Sequence, residues 1–280
     1  MDSILAAAIG GAVGGVLGAV LGRLASRAFP EKARSVVRAA ITVGAIAAGW
    51  EITAAVLATP SLTTAGPAEI ERQIFADPRA AGLARAWQRA EPASFEDFVQ
   101  GLSREARAGA PRDQLVASAR ARMMAAATPR LAHLGDADTL EIVALARAEY
   151  SELARTHPEV CRPMFRGEPF GDDLSSHLSA DTIRRELSLM ERAFSADMSV
   201  HQTVLAGPEL DAAIADLIAD VRTVLPASDI ALLAPDADIR GMEARYCEVV
   251  AVVQERIAAL PPARAAALMR GLRAASQGPA

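Results

Sequence analysis

Two sets of residues in this 280-residue chain could carry chemistry: a pair of cysteines and a small group of carboxylates with a histidine. Cys161 and Cys247 are the only two cysteines, and an even number permits one disulfide in an oxidising compartment. The alternative is two separate buried thiols, because free cysteine is among the most buried residue types. Asp172, Asp173 and His177 are the nearest set to a metal site, because carboxylate and imidazole together suit zinc or manganese.

The carboxylate–histidine set does not carry a prediction of metal binding. Its spacing matches no ligand signature, and aspartates before a helix are more often caps or turn formers. The four histidines form no HExxH motif, and the chain has no GxxxxGK[ST] phosphate loop and no GxSxG nucleophile turn. We therefore expect a protein that is not an enzyme, with no catalytic residue, no metal and no cofactor.

The cysteine pair does carry a prediction. Cys161 lies in a proline-rich stretch near residues 157–175, where three prolines and two glycines forbid a continuous helix. Cys247 lies in a helix expected from about Asp238 to Leu260. A disulfide between them anchors the irregular stretch to the packed body, and closing so long a loop contributes about 4–4.5 kcal/mol at most.

The most unusual stretch is the uncharged run Ile4–Gly22, which is about long enough to cross a bilayer core. Small residues recur in it every four positions, so on a helix they form a flat strip where another helix can come close. This helix-packing strip, a glycine zipper that favours oligomers, consists of Ala6, Gly10, Gly14, Gly18 and Gly22.

A second apolar run, Ala39–Leu57, follows after a short segment with five cations and one anion, Arg23–Arg38. By the positive-inside rule that segment stays in the cytoplasm. Residues 1–60 are then a transmembrane helical hairpin with both termini outside the inner membrane of a Gram-negative bacterium. Two alternatives stay open: a cleaved signal peptide, although the start is acidic, and burial of both helices within a soluble protein.

Glu51 is the one charge in the second run. A carboxylate at the centre of a membrane costs about 2.5–3.5 kcal/mol and often marks ion or proton translocation. Glu51 lies beside Trp50 and six residues from Leu57, however, and this position suits the outer interface. It is therefore either an acid in a conduction pathway or an acid that reaches water at the boundary.

The remainder reads as a linker, residues 61–66, and an all-α periplasmic domain, residues 67–280, with about seven to eight helices. The hydrophobic content of 51% with only 4% aromatic residues is typical of packed Ala- and Leu-rich helices. Start signals at Ser94, Asp138 and Ser179 open three of them. The clearest amphipathic stripe is Leu210, Ile214, Leu217, Ile218, Val221 and Leu225.

The charge pattern bears on partners. The chain has a net charge of −5, but residues 1–66 hold five basic and three acidic residues, so the rest carries −7. An acidic body argues against nucleic acid, since phosphate contacts need clustered cations.

The sequence therefore predicts a membrane-anchored structural or interaction protein, whose partners are the lipid bilayer and either further copies of itself or another envelope protein. The alternative is a membrane-active or channel-forming assembly with Glu51 in the pathway. A periplasmic metal-dependent hydrolase is a minor alternative.

Overall fold

The computed structural model of the protein describes residues 65–166, 174, 177–234 and 237–277. Within these ranges the chain is all-α, as predicted, with eleven α-helices and no strand. A 3₁₀ turn separates the fifth and sixth helices at Pro158–Val160. In chain order the helices are α1 (Pro67–Ala76), α2 (Ala81–Ala90), α3 (Pro92–Arg107), α4 (Arg112–Leu131), α5 (Asp136–Thr156), α6 (Cys161–Arg166), α7 (Ala180–Ser195), α8 (Gly207–Val224), α9 (Ala227–Leu232), α10 (Glu243–Ala258) and α11 (Pro262–Gln277).

The described helices outnumber the seven or eight predicted, for two reasons. The stretch from Pro67 to about Arg89, which the sequence predicts as one helix, is two helices, because Asp77 precedes a proline and takes an extended ψ of 117°. Its carboxylate then accepts a hydrogen bond from the backbone N–H of Arg79 at 2.8 Å. The other reason is that two six-residue helices form where the sequence predicts none. Helix α6 lies in the stretch near 157–175 that is predicted to be irregular, and α9 lies where a short turn is predicted at Ser228–Leu233.

One of the three start signals is confirmed. The Ser179 hydroxyl accepts a hydrogen bond from the backbone N–H of Thr182 at 3.2 Å and caps α7. The other two are wrong, because α3 begins at Pro92 and α5 begins at Asp136 without a side-chain cap. Ser94 lies inside α3 and accepts a hydrogen bond from the indole N–H of Trp87 at 3.3 Å.

The predicted transmembrane hairpin, with its glycine strip and Glu51, lies outside the described residues. Among the helices that are described, none is both long enough and apolar enough to cross a bilayer. Of the predicted linker, residues 61–64 lie outside the described residues, and Ala65 and Gly66 precede α1 in non-helical conformation.

The described residues group into two compact units, each built from separate stretches of the chain. The first unit contains α1–α4 and α7, and the second unit contains α5, α6 and α8–α11. Residues 67–280 are predicted from the sequence as one domain, whereas their described part is divided between these two units. No composition shift marks it, because the chain leaves the first unit, returns to it and leaves it again.

The first unit is built around Trp87 of α2, which is fully buried. Its ring centroid lies 4.8 Å from that of Phe98, 5.5 Å from that of Phe194 and 5.6 Å from that of Phe95. Arg130 of α4 closes this core, since its guanidinium donates to the backbone carbonyls of Ala90 and Phe194 and pairs with Glu91 at 2.7 Å. The aromatic centre thus joins α2, α3 and α7.

The second unit is built around α11. Nine consecutive residues of this helix, from Ala265 to Arg273, are buried, and α11 contacts α5, α8 and α10. Helices α5 and α10 form the most extensive helix pair of the unit. The predicted stripe on α8 is confirmed as its buried face: Leu210, Ile214, Leu217, Ile218, Val221 and Leu225.

Candidate functional site

The two cysteines meet in the second unit. Cys161 is the first residue of α6, Cys247 lies in the first half of α10, and both are fully buried. Their sulfurs are 2.08 Å apart and their Cα atoms 5.5 Å apart. The structure therefore places the pair at disulfide distance, as the sequence predicts.

Local sequence positions Cys161 for this bond. His157 ends α5 with a φ of −160°, and Pro158 then opens the 3₁₀ turn, where its fixed φ suits a first position. The sulfur of Cys247 lies 3.5 Å from the carbonyl oxygen of Pro158. That approach is a van der Waals contact, since a disulfide sulfur has no proton to donate.

The stretch that carries Cys161 is more regular than predicted. The sequence indicates an irregular loop near residues 157–175, whereas residues 158–166 form the 3₁₀ turn and α6. Pro163 is tolerated because it lies in the first turn of α6, where a backbone N–H has no helical acceptor. Residues 167–173 lie outside the described ranges.

Polar side chains are buried on α5 and on α10, the helix that carries Cys247. Glu149 and Tyr150 of α5 are fully buried, and Tyr246, next to Cys247, is also buried. The Tyr246 ring meets Phe165 of α6 edge to face, with centroids 5.4 Å apart. Burial raises the pKa of Tyr150 well above its usual value of 10.0, and the nearby Tyr246 and Glu149 raise it further. Tyr150 therefore stays a neutral phenol at physiological pH.

A second buried polar group involves two arginines of α11. Arg270 donates to the carboxylate of Asp136 at 2.8 Å, to the Thr139 hydroxyl at 3.3 Å and to the Thr203 carbonyl at 3.2 Å. Burial, and then repulsion from Arg270, lowers the pKa of Arg273 to about 10. The Arg270 guanidinium thus holds the start of α5 and the segment before α8 onto the central helix.

The segment before α8 also approaches the backbone of α11 closely. The backbone N–H of Leu205 donates to the Ala267 carbonyl at 3.1 Å. A Cβ at Gly271 would lie 2.3 Å from the Leu205 carbonyl oxygen, so only glycine fits there without a backbone shift. Gly271 thus permits the close approach of this segment to the backbone of α11.

The histidines and carboxylates of the described residues do not assemble a metal site. His157 pairs with Glu159 at 2.9 Å, and His133 contacts the Val200 carbonyl at 3.2 Å. His177 is half-buried, while Asp172 and Asp173 lie outside the described ranges. Within those ranges no three His, Cys, Asp or Glu side chains come together where they could hold a metal ion.

Comparison with known proteins adds no assignment. No protein-family model, no curated protein and no solved structure matches this chain significantly. The candidate site therefore rests on its own geometry: a buried disulfide that joins α6 to α10, next to the buried Tyr246 of α10.

Replacing Tyr150 with phenylalanine is expected to leave the protein as stable at pH 7 or about 1 kcal/mol more stable. The Tyr150 hydroxyl is buried and has no hydrogen-bond partner in the described part of the chain, so its removal costs no bond. Urea unfolding of both proteins measures the difference. A loss of about 2 kcal/mol or more contradicts this expectation.

The same substitution is expected to flatten the pH dependence of stability above pH 10. The unfolded chain ionises this tyrosine near its usual pKa, whereas the folded chain holds the proton, because its pKa is raised. Well below pH 10 both states hold the proton, so Tyr150 adds no pH dependence there. As the pH rises past the unfolded pKa the unfolded chain loses the proton first, and stability falls until the pH passes the folded pKa. Wild-type stability should fall more steeply than that of Tyr150→Phe between pH 9 and about 11.

Proposed function

We propose that the protein is a membrane-anchored structural and interaction protein of the bacterial inner membrane. In this proposal the hairpin of residues 1–60 spans the bilayer, and the helical part that follows lies in the periplasm and binds another protein. The observation that carries the proposal is the pairing of Cys161 with Cys247 at disulfide distance. Disulfides persist in oxidising compartments and are rare in the bacterial cytoplasm.

The charge pattern of the chain supports the orientation. The cations between the two apolar runs favour a cytoplasmic loop, so both ends of the hairpin, and with them Cys161 and Cys247, are placed outside. Two independent features, a charge asymmetry near the start and a cysteine pair far along the chain, thus agree on one compartment.

The surface charge of the second unit supports a protein partner. Its described residues include fifteen acidic and eleven basic side chains, a net charge of −4, whereas those of the first unit include twelve and thirteen, a net charge of +1. An acidic surface steers a partner with a basic patch and repels nucleic acid. We therefore place the protein-binding surface on the second unit.

The anchoring part of the proposal is tested by enlarging the glycine strip. We expect Gly14→Leu and Gly18→Leu to abolish crosslinks between copies in native membranes, because a large side chain forces helix backbones apart. Ala12→Leu is the matched control, since on the predicted helix residue 12 lies opposite the strip. The proposal fails if the strip variants crosslink and resist detergent extraction as the wild type does.

A further inference from the structure

We propose that the Cys161–Cys247 disulfide is a latch that controls residues 158–166, called here the latch segment. In the oxidised protein the bond holds the 3₁₀ turn and α6 against α10. Two-electron reduction releases the segment while α5 and α10 stay packed. The inference rests on the proposed function only for the oxidising location, and the latch itself is a property of the fold.

The latch segment depends on the bond because it is short. It consists of three residues of 3₁₀ helix and six residues of α-helix, and helices of this length are not stable on their own. Its packing comes from a few buried side chains, Val160, Met164 and Phe165, and from the bonded Cys161. A single covalent bond therefore carries a large share of what keeps these nine residues in place.

The helices beneath the segment do not depend on the bond in the same way. Helices α5 and α10 pack along much of their length, with Leu145, Val249 and Val253 fully buried. An ion pair between Arg147 and Glu255 at 3.3 Å also joins them, far from the cysteines. Both helices in addition contact α11. Reduction should therefore open the segment locally, as a low-stability cooperative unit, rather than unfold the second unit.

The burial of both sulfurs limits the access of a reductant to the disulfide. Neither cysteine exposes any surface, so an attacking thiolate reaches a sulfur only during a transient local fluctuation of the packing around the intact bond. The reductant is a dithiol, either a small molecule or a thiol–disulfide oxidoreductase. Its first thiolate forms a mixed disulfide with one cysteine and expels the other as a thiolate. Its second thiol then resolves that bond, so the reductant becomes a disulfide and Cys161 and Cys247 become thiols, with two electrons and two protons transferred.

Opening has a structural consequence on α10. The Phe165 ring covers Tyr246 edge to face, and Cys247 lies against Pro158. Undocking removes both covers, so the surface around Tyr246 and Cys247 becomes accessible in the reduced state only. The redox state of one bond thus sets which face the second unit presents to a partner.

Hydrogen exchange followed by mass spectrometry tests the latch on the full-length protein in detergent. Three samples are compared: oxidised wild type, wild type reduced by a phosphine, and Cys161→Ala/Cys247→Ala. We expect peptides covering residues 158–166 to exchange at least tenfold faster in the last two. Peptides from α8, and from residues 142–150 of α5, should exchange at unchanged rates. Phosphine treatment of the double variant controls for effects of the reagent.

Two outcomes overturn the inference. Exchange of residues 158–166 that stays within twofold after complete reduction, verified by the mass of alkylated cysteines, shows that packing alone holds the segment. Faster exchange throughout α5 and α10 shows that the bond is a global crosslink. Reporter fusions to the full chain separate this inference from the proposed function: cytoplasmic activity of a reporter fused after Ala280 counts against the periplasmic location, and the exchange data still decide the latch.

Discussion

Replacing Arg270 with alanine should lower the free energy of unfolding of the second unit by about 3 kcal/mol. The guanidinium is almost fully buried in α11 and donates to a carboxylate, a hydroxyl and a backbone carbonyl on two other segments. Alanine leaves those acceptors without their donor and opens a cavity beside the nine buried residues of the helix. Urea unfolding followed by circular dichroism measures the loss.

Arg264→Ala is the matched control for this substitution. Arg264 lies on the same helix and pairs with Asp216 at 2.6 Å, a distance similar to that of the Arg270 pair. Its side chain is 48% exposed and that of Asp216 is 66% exposed, so we expect a loss of less than about 1 kcal/mol. Equal losses for the two arginines would show that burial of Arg270 does not determine its contribution.

Replacing Trp87 with alanine should have the largest effect in the first unit, about 3–5 kcal/mol. The indole is fully buried and contacts three phenylalanine rings from two other helices, so its removal leaves a cavity that those rings cannot all fill. Aromatic pairs of this geometry also contribute beyond the area they bury. The readout is the midpoint of urea unfolding, with the near-ultraviolet dichroism of the aromatic core as a second probe.

Met198→Ala serves as the control for the first unit. Met198 is 39% exposed on the irregular segment after α7, so its truncation should change stability by no more than about 0.5 kcal/mol. A Trp87→Ala variant as stable as Met198→Ala would contradict the description of Trp87 as the centre of the core.

The helical class and several element starts could be predicted because they depend on local patterns. The apolar spacing on α8 and the Ser179 cap involve residues within one or two helical turns of each other. The Cys161–Cys247 pairing could be predicted for a different reason: with only two cysteines in the chain, there is a single possible partner. For the α8 stripe, the Ser179 cap and the cysteine pairing alike, the sequence allows few alternative structures.

Other features were missed because long-range packing decides them. Arg270 directly follows the apolar run Ala265–Met269, but the acceptors that satisfy its guanidinium, on Asp136 and Thr203, come from distant parts of the chain. Ser94 is a second example. It is predicted to cap a helix, but its hydroxyl instead accepts a hydrogen bond from the indole of Trp87. The division into two units depends on which helices meet across the chain, and no run of neighbouring residues encodes it.

The buried residues around the disulfide could have been suspected but not assigned. Tyr150 and Tyr246 are each followed two residues later by a glutamate. This similarity is too short to indicate a shared site. Their proximity follows from the packing of α5 against α10, and the raised pKa of Tyr150 follows from that burial. The sequence shows which residues could join such a cluster, but only the packed structure shows which of them come together.

The central claim, that the helical part lies outside the cytoplasm, is tested most directly by reporter fusions to the full chain. A reporter active only in the periplasm, fused after Ala280, should be active, and the same reporter inserted after Arg34 in the predicted cytoplasmic loop should be silent. A reporter active only in the cytoplasm should give the reverse pattern at both sites. Activity of the cytoplasmic reporter after Ala280 would contradict the proposed location. Cys161 and Cys247 would then lie in a reducing compartment, where a disulfide is not expected to persist.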